Sequence, residues 1–316
     1  MSFWAFIWRR AARHWQILLT LSLGVLLSTA MLASSPVLVN TVVEFGLRRT
    51  LLAADPATSD LRLKLFGRLD AAAYADLDSQ VQQMVNGRLN PFIDQIVPVL
   101  GSRWFHPWIE GNLLPEERLN FRAYGNSETD IRQQVSFVAG EWPTTPQPAP
   151  DVVAVVIGQE LAEAYGLEVG DLLPVSVARD GSEPEFSLQI SGIVQPLDGS
   201  DPYWFGAASP LRAQSDERWL AQYAVLVDQA AFFDLVEAVM PDGSTHEFYW
   251  QVTIEPGSLT SAQIPLVRVL LRLLREDLRP LTPSVTVDTG LDKVLTNFAD
   301  QSTAVRAPLY FLTAEV

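Results

Sequence analysis

The stretch Asp151–Gly170, DVVAVVIGQELAEAYGLEVG, decides the fold class more sharply than any other part of the chain. Its first eight residues alternate too little for a strand with one wet face, which predicts a strand buried on both faces. QELAEAY then predicts a short helix, and Gly166 suits the left-handed position that ends it. The pair Gly170-Asp171 is typical of a turn. A buried strand, a helix and a turn in immediate succession begin a domain that mixes both kinds of element.

The segments that follow predict more strands. Leu172–Ala178 and Phe186–Val194 flank the hairpin signal Asp180-Gly181, and the second segment alternates apolar and polar residues. Tyr223–Leu226 and Phe248–Ile254 predict two further strands. We therefore expect an α+β fold.

Three segments predict helices by their apolar spacing. Ala71–Met84 places Tyr74, Leu77, Val81 and Met84 three or four residues apart. Ser258–Leu278 has an apolar side and an arginine-bearing side. Such a helix either packs on the sheet, which we expect, or lies on a membrane. Thr289–Phe298 predicts a third helix.

Two segments indicate irregular structure. Phe92–Trp108 is interrupted by Pro98, Gly101 and Pro107, which favours a short helix that leads into a tryptophan-lined loop. Trp104, Phe105 and Trp108 would form either a ligand cage or, as we expect, part of the packing. The proline-rich stretch 143–150, PTTPQPAP, predicts a linker.

Composition excludes several classes of function. The 316 residues carry a formal charge of -15, which argues against a nucleic-acid partner, since phosphates need a basic face. Cysteine is absent and histidine occurs three times, which excludes disulfides, thiol nucleophiles and zinc sites built from cysteines or several histidines.

The N-terminal region predicts a membrane anchor. Residues 17–43 form a run of 27 residues without a formal charge, whereas about 20 apolar residues suffice to cross a bilayer. Arg9, Arg10 and Arg13 precede the run and predict a cytoplasmic N-terminus, although Arg48 and Arg49 follow it. The alternative is a cleaved signal peptide. The remainder has 19 basic against 37 acidic residues, a formal charge of -18, and is expected outside the membrane.

No pattern in the chain points to catalysis. Phosphate-binding loops, His-Glu-x-x-His and Gly-x-Ser-x-Gly are absent. The acid pairs Glu116-Glu117 and Asp198 with Asp201 lack the spacing of a calcium loop or of a glycosidase pair. His106 and His246 have no candidate nucleophile nearby. We expect no enzyme activity, no catalytic, cofactor-binding or metal-binding residues, and no cofactor.

The segments VVIGQELAEAYGLEVGDLLPVSV (155–177) and FSLQISGIVQPLDGSDPYW (186–204) resemble the extracytoplasmic domain of FtsX-like ABC transporter permeases, of the MacB periplasmic core type. The order of parts also resembles that family. A basic start and one transmembrane helix precede the exterior domain, and LDKVLTNFADQSTAVRAPLYFL (291–312) matches the stalk that re-enters the membrane. The chain ends at Val316, where the second membrane helix would begin, which predicts a truncated permease or a fragment.

The resemblance implies a division of the chain and a set of partners. Residues 1–16 would be the cytoplasmic flank, 17–43 the transmembrane helix and 306–316 the start of the second one. Between them, 44–305 would form the exterior domain, with a mostly helical part (44–142), a strand-rich part (151–257) and a helical part with the stalk (258–305). The implied partners are membrane lipid, a cytoplasmic ABC ATPase and a second permease copy, in the cell membrane, with the transported substrate unknown.

In this family the exterior domain moves when a separate ATPase closes on ATP, so the implied role is mechanical. We expect the first helix beyond Pro36 and the segment Leu291–Leu312 to carry the motion. Apolar spacing suggests that three residues of the second stalk (Leu295, Phe298 and Val305) pack against three of the first (Val39, Val42 and Leu47). Two alternatives remain open: a signal-anchored binding or sensor domain, and a secreted hydrolase.

Overall fold

The computed structural model describes residues 15–109, 111–114, 116–125, 129–143, 149, 151–177, 183–205, 211–216, 219–240, 243–281 and 285–314. Within these ranges only the backbone is described at 18, 31–38, 57, 214–216, 219–220 and 304–314. The predicted cytoplasmic flank, most of the linker 143–150 and the Asp180-Gly181 turn lie outside the described residues.

Helices and strands alternate irregularly along the chain. The helices are α1 Trp15–Ala53, α2 Pro56–Ser59, α3 Ala71–Leu89, α4 Gln159–Tyr165, α5 Gln229–Val239, α6 Ile264–Leu278 and α7 Leu291–Ala314. The strands are β1 Leu61–Gly67, β2 Ile93–Gly101, β3 His106–Ile109, β4 Asn112–Leu113, β5 Glu117–Tyr124, β6 Val135–Gly140, β7 Val152–Gly158, β8 Leu172–Ser176, β9 Phe186–Pro196, β10 Gln214–Asp216, β11 Trp219–Leu226, β12 His246–Ile254 and β13 Thr286–Asp288.

The strands of the described residues join one mixed sheet in the order β13-β1-β12-β2-β5-β11-β7-β9-β8-β3-β4. Beside this path, β10 pairs with β11 and β6 pairs with β9. The pairs β5–β11 and β7–β9 are parallel, whereas the other pairs are antiparallel. The first and last parts of the chain interleave in the sheet, because β1 lies between β13 and β12.

The sheet has apolar packing on both faces. The larger core lies on the face that carries α3 and α6, and it includes Leu63, Phe121 and Trp250. A smaller cluster on the opposite face includes Val156 and Trp204. Alternate residues of β7 belong to the two clusters, which confirms that this strand is buried on both faces.

Several predictions from local sequence signals are confirmed. Helix α4 has the predicted bounds and ends at Gly166 with φ 62°. Strands β8, β9, β11 and β12 occur where strands were expected, with β8 and β9 paired antiparallel. Helix α6 packs into the main core and its Arg88–Asp277 ion pair of 2.7 Å joins it to α3, so the sheet-packed alternative is correct.

Two predictions about the region before residue 143 are wrong. Residues 44–142 are not mostly helical, since they contribute β1 to β6. Residues 92–108 do not form a helix and loop, because they hold all of β2 and most of β3. Pro98 and Gly101 are tolerated within β2, where Pro98 pairs in register with Trp250 of β12. This partner is distant in sequence, so no local pattern indicates the pairing.

The N-terminal helix is longer than its predicted apolar run. Helix α1 extends unbroken from Trp15 to Ala53, and the described side chains between residues 15 and 30 are exposed. Among the described residues, no helix combines the length and apolarity that crossing a membrane requires. The predicted transmembrane helix 17–43 is therefore not supported by the structure, and the side chains of 18 and 31–38 within it lie outside the description.

Candidate functional site: two helices joined at one edge of the sheet

Helices α1 and α7 meet at the β13 edge of the sheet. A short connection that contains α2 leads from α1 into β1, and α7 begins two residues after β13 ends. Strands β1 and β13 are neighbours, with Arg62 opposite Asp288. Both helices are therefore attached to adjacent strands.

The two helices share a buried apolar interface. Leu47 and Leu51 of α1 are fully or almost fully buried, as is Leu295 of α7. These residues belong to the main core, together with Val43, Leu291 and Phe298. The ring of Phe298 lies 3.6 Å from the position that a Cβ on Gly46 would take, which is ordinary van der Waals contact.

Polar contacts fix both helices to the domain. The Glu44 carboxylate on α1 accepts hydrogen bonds from the Ser261 backbone N–H at 3.0 Å and from its hydroxyl at 2.7 Å, just before α6. Arg268 of α6 donates to Asp292 of α7 at 2.7 Å. The residues just before α6 are thus held to α1, and Arg268 near the start of α6 is held to α7.

Close contacts also join the segment before α7 to the residues beside β1 and β12. The Thr289 hydroxyl donates to the Asp60 carbonyl at 2.7 Å, and an Asp60 carboxylate oxygen accepts from the Ile254 N–H at 2.9 Å. A Cβ on Gly290 would lie 2.6 Å from the Thr58 methyl group and 3.0 Å from its carbonyl oxygen, so a larger residue would require Thr58 to shift. Burial raises the pKa of Asp60 to about 6. These contacts join the segment before α7 to the start of β1 and the end of β12.

The predicted packing between the stalks is confirmed in part. Leu47, Leu295 and Phe298 lie in one core and Val39 packs partly against it, as expected. Val42 is 58% exposed, so its predicted contact is wrong, and Val43 one residue on is the buried neighbour. Because α-helical residues turn by 100° each, a one-residue shift moves a side chain off the interface. The side chain of Val305 lies outside the described residues.

The aromatic residues near 105 do not form a cage. Phe105 is fully buried and its ring packs against Phe121 and Phe186 at centroid distances of 4.9 and 5.5 Å. Trp104 lines a cavity on the other face of the sheet, and Trp108 lies on β3 opposite Leu113. Phe105 thus has the packing role that was expected.

The acidic residues considered above as candidate pairs make local contacts. Asp198 accepts from the Ser200 N–H and hydroxyl, which lowers the pKa of Asp198, and Asp201 caps a short turn at Tyr203. Burial, with a smaller effect of Glu116, raises the pKa of Glu117. No group of three or more acids, histidines or cysteines among the described residues could hold a metal.

The two histidines are buried. The Nδ1 atom of His106 lies 2.9 Å from the Glu117 carbonyl. His246 has no hydrogen-bond partner among the described residues for either ring nitrogen, and burial, followed by the charges of Arg68 and Arg103, lowers its pKa to about 4.

Comparison with known proteins yields structural neighbours alone. No family model matches the chain, and no curated protein matches it. The periplasmic region of MacB from Actinobacillus actinomycetemcomitans aligns with a TM-score of 0.38 and 11% identity, over 78% of this chain and 96% of its own. A domain of a candidate permease protein from Porphyromonas gingivalis aligns with a TM-score of 0.32 and 10% identity, over 74% of this chain and 88% of its own. Neither TM-score reaches 0.5, so neither alignment establishes a shared fold.

Proposed function

We propose that this chain is a permease subunit, or a portion of one, in which α1 and α7 transmit motion from a membrane to a mixed α/β extracytoplasmic domain of the MacB periplasmic core type. A separate cytoplasmic ABC ATPase supplies the motion, and a second permease copy completes the transporter. The work of this chain is mechanical and breaks no bond.

The shared interface of α1 and α7 carries the proposal. A helix transmits displacement when it is continuous and when its end is fixed to the body that must move. Helix α1 is continuous over 39 residues, and its last turns are fixed in the core by Leu47 and Leu51. Helix α7 is fixed beside it by Leu295, so the two helices form one unit at the domain.

The exposed apolar surface of α1 supports a membrane location for its first half. Ile17, Leu21 and Leu26 are each more than 60% exposed, and no charged residue accompanies them before Glu44. Exposed apolar patches of this kind mark surfaces that contact a partner or lipid. We propose that lipid covers this part of α1, with the N-terminus in the cytoplasm.

Single cysteines in the naturally cysteine-free chain test this proposal. In intact cells, a membrane-impermeant maleimide should label Asp94→Cys, on the exposed start of β2, and should label Arg10→Cys only after permeabilisation. Labelling of Arg10→Cys alone, or of both in intact cells, would contradict the proposed topology.

The same chemistry tests coupling to an ATPase. In membranes that contain the full chain and its native partners, ATP with vanadate traps ABC ATPases in the closed state. The labelling rate of Val42→Cys, on the exposed face of α1, should then change, whereas that of Asp94→Cys should not. An unchanged rate at both positions argues against mechanical coupling and favours an anchored domain that works alone.

A further inference from the structure

A polar cavity of about 290 Å³ lies on the face of the sheet opposite α3 and α6. Its lining comes from five strands and from the loops after β2 and β9, and includes Arg62, Arg122, Tyr249, Gln251, Trp104 and Trp204. Two arginines line this cavity, one on β1 next to the edge strand β13 and one on β5, although buried cations normally have acidic partners.

One of the two arginines is neutralised within the sheet. Arg122 on β5, Gly101 on β2 and Glu247 on β12 lie in one row across three strands. The guanidinium of Arg122 passes over Gly101, where a Cβ would lie 2.0 Å from it, and reaches Glu247 at 3.2 Å. Glu247 also accepts from the Tyr249 hydroxyl. Arg122 and Glu247 therefore leave no net charge in the cavity.

The other arginine has no acidic partner at ion-pair distance among the described residues. Arg62 on β1 is half-buried, and its Nε atom is buried without an acceptor. Its guanidinium lies over the ring of Phe205, 4.3 Å from the centroid, and near that of Tyr249 at 5.4 Å. Such ring contacts hold the guanidinium in place. They do not accept hydrogen bonds from its N–H groups, which point outward in the plane of the guanidinium.

Two more observations concern residues beside Arg62 in the cavity. Phe205 has φ 56°, a left-handed conformation that is rare for an aromatic residue. Gln251, opposite Arg62 in register, is 5% exposed, and its side-chain oxygen has no hydrogen-bond partner among the described residues. The cavity thus presents a guanidinium whose Nε has no acceptor and an amide oxygen that has no donor among the described residues.

We propose that this cavity binds a small organic monocarboxylate, with its carboxylate on Arg62 and its apolar body against Trp104 and Trp204. A planar carboxylate matches the guanidinium fork in geometry. A single negative charge matches Arg62, which has no acidic partner at ion-pair distance among the described residues, and the two indoles favour an apolar or aromatic body over a hydrated one. This site does not depend on the mechanical role of α1 and α7.

Benzoate is the probe that tests the proposal. Titrated into the full chain in a nonionic detergent, benzoate should saturate a change in tryptophan emission and give a binding isotherm by calorimetry. Benzyl alcohol, which has the same body without the charge, should bind at least tenfold more weakly, because a charged hydrogen bond contributes about 1.5–3 kcal/mol. Equal binding of both compounds would overturn the proposal. So would the absence of benzoate binding at a concentration of about 10⁻² M.

Variants separate this site from unspecific binding. Arg62→Gln should weaken benzoate binding tenfold or more, whereas Arg62→Lys keeps the charge, loses the fork and should bind with intermediate affinity. The matched control is Arg272→Gln on the exposed face of α6, which should bind as the unmodified chain does. Unfolding curves establish that each variant is folded. If folded Arg62→Gln binds benzoate as well as the control, or if inorganic phosphate binds more tightly than benzoate, the assignment of a monocarboxylate is wrong.

Discussion

The imidazole of His246 makes stability depend on pH at the scale of one residue. Its folded pKa of about 4 lies below its ordinary value of 6.5, so the unfolded chain binds more protons between these values. The stability that His246 contributes is complete above pH 6.5 and is lost as the pH falls towards 4. Denaturant titrations of His246→Phe should show a smaller loss on acidification than the unmodified chain. Equal losses of stability in both proteins would show that protonation of His246 does not change the free energy of unfolding.

Asp60 changes stability with pH in the opposite direction, over a pH range that overlaps that of His246. Its folded pKa of about 6 exceeds the ordinary 3.8, so the folded chain binds more protons between these values and gains stability as the pH falls through 6. Asp60→Asn should be more stable than the unmodified chain at pH 7, by on the order of 2 kcal/mol, with the difference vanishing near pH 4. A difference that is constant with pH would place the effect in packing and not in charge.

At the scale of elements, the contact between α1 and α7 predicts that substitutions at two residues of α1, Leu47 and Val42, have unequal effects on the free energy of unfolding. Leu47 is fully buried in the interface, so Leu47→Ala should lower the free energy of unfolding by about 2–5 kcal/mol. Val42 is 58% exposed, so Val42→Ala should change it by less than about 0.5 kcal/mol. Chemical denaturation in nonionic detergent measures both. Equal effects would mean that the helices pack through a different face.

The elements that were predicted correctly carry their signal within a few residues. Gly166 ends α4, and the spacing of Val267, Leu271 and Leu274 shows which side of α6 is buried. Strand β2 lacks such a signal, since Pro98 and Gly101 are typical of breaks and its partner β12 lies about 150 residues further along. Local patterns cannot indicate a pairing that is stabilised only by the completed sheet.

The cavity around Arg62 was missed for the same physical reason. Arg62, Arg122 and Tyr249 belong to three strands and meet only through the order β1-β12-β2-β5. In the sequence each is a polar residue between apolar ones, which is typical of a strand face exposed to solvent. The interface of α1 and α7 was found more readily, because its two helices show their apolar sides by spacing alone.

At the scale of the molecule, the sheet joins parts of the chain that composition suggested as separate regions. Strands β1 and β2 from the region 44–142 both pair with β12, and β5 pairs with β11. Without β11 and β12, the sheet formed by 44–142 would lose its central pairings, and the apolar faces of β1 and β5 would face water.

This interleaving predicts that residues 44–303 fold as one unit. A fragment of residues 44–142 should be unfolded when expressed alone, with a poorly dispersed proton–nitrogen correlation spectrum, because its strands lack their partners. A fragment of residues 44–303 retains every described strand and the paired ends of α1 and α7. Its tryptophan emission and far-ultraviolet circular dichroism should change together in one transition with denaturant. A dispersed spectrum from 44–142, or two separate transitions in 44–303, would show that the sheet is assembled from independently stable halves, with the paired strands β1 and β12 in different halves.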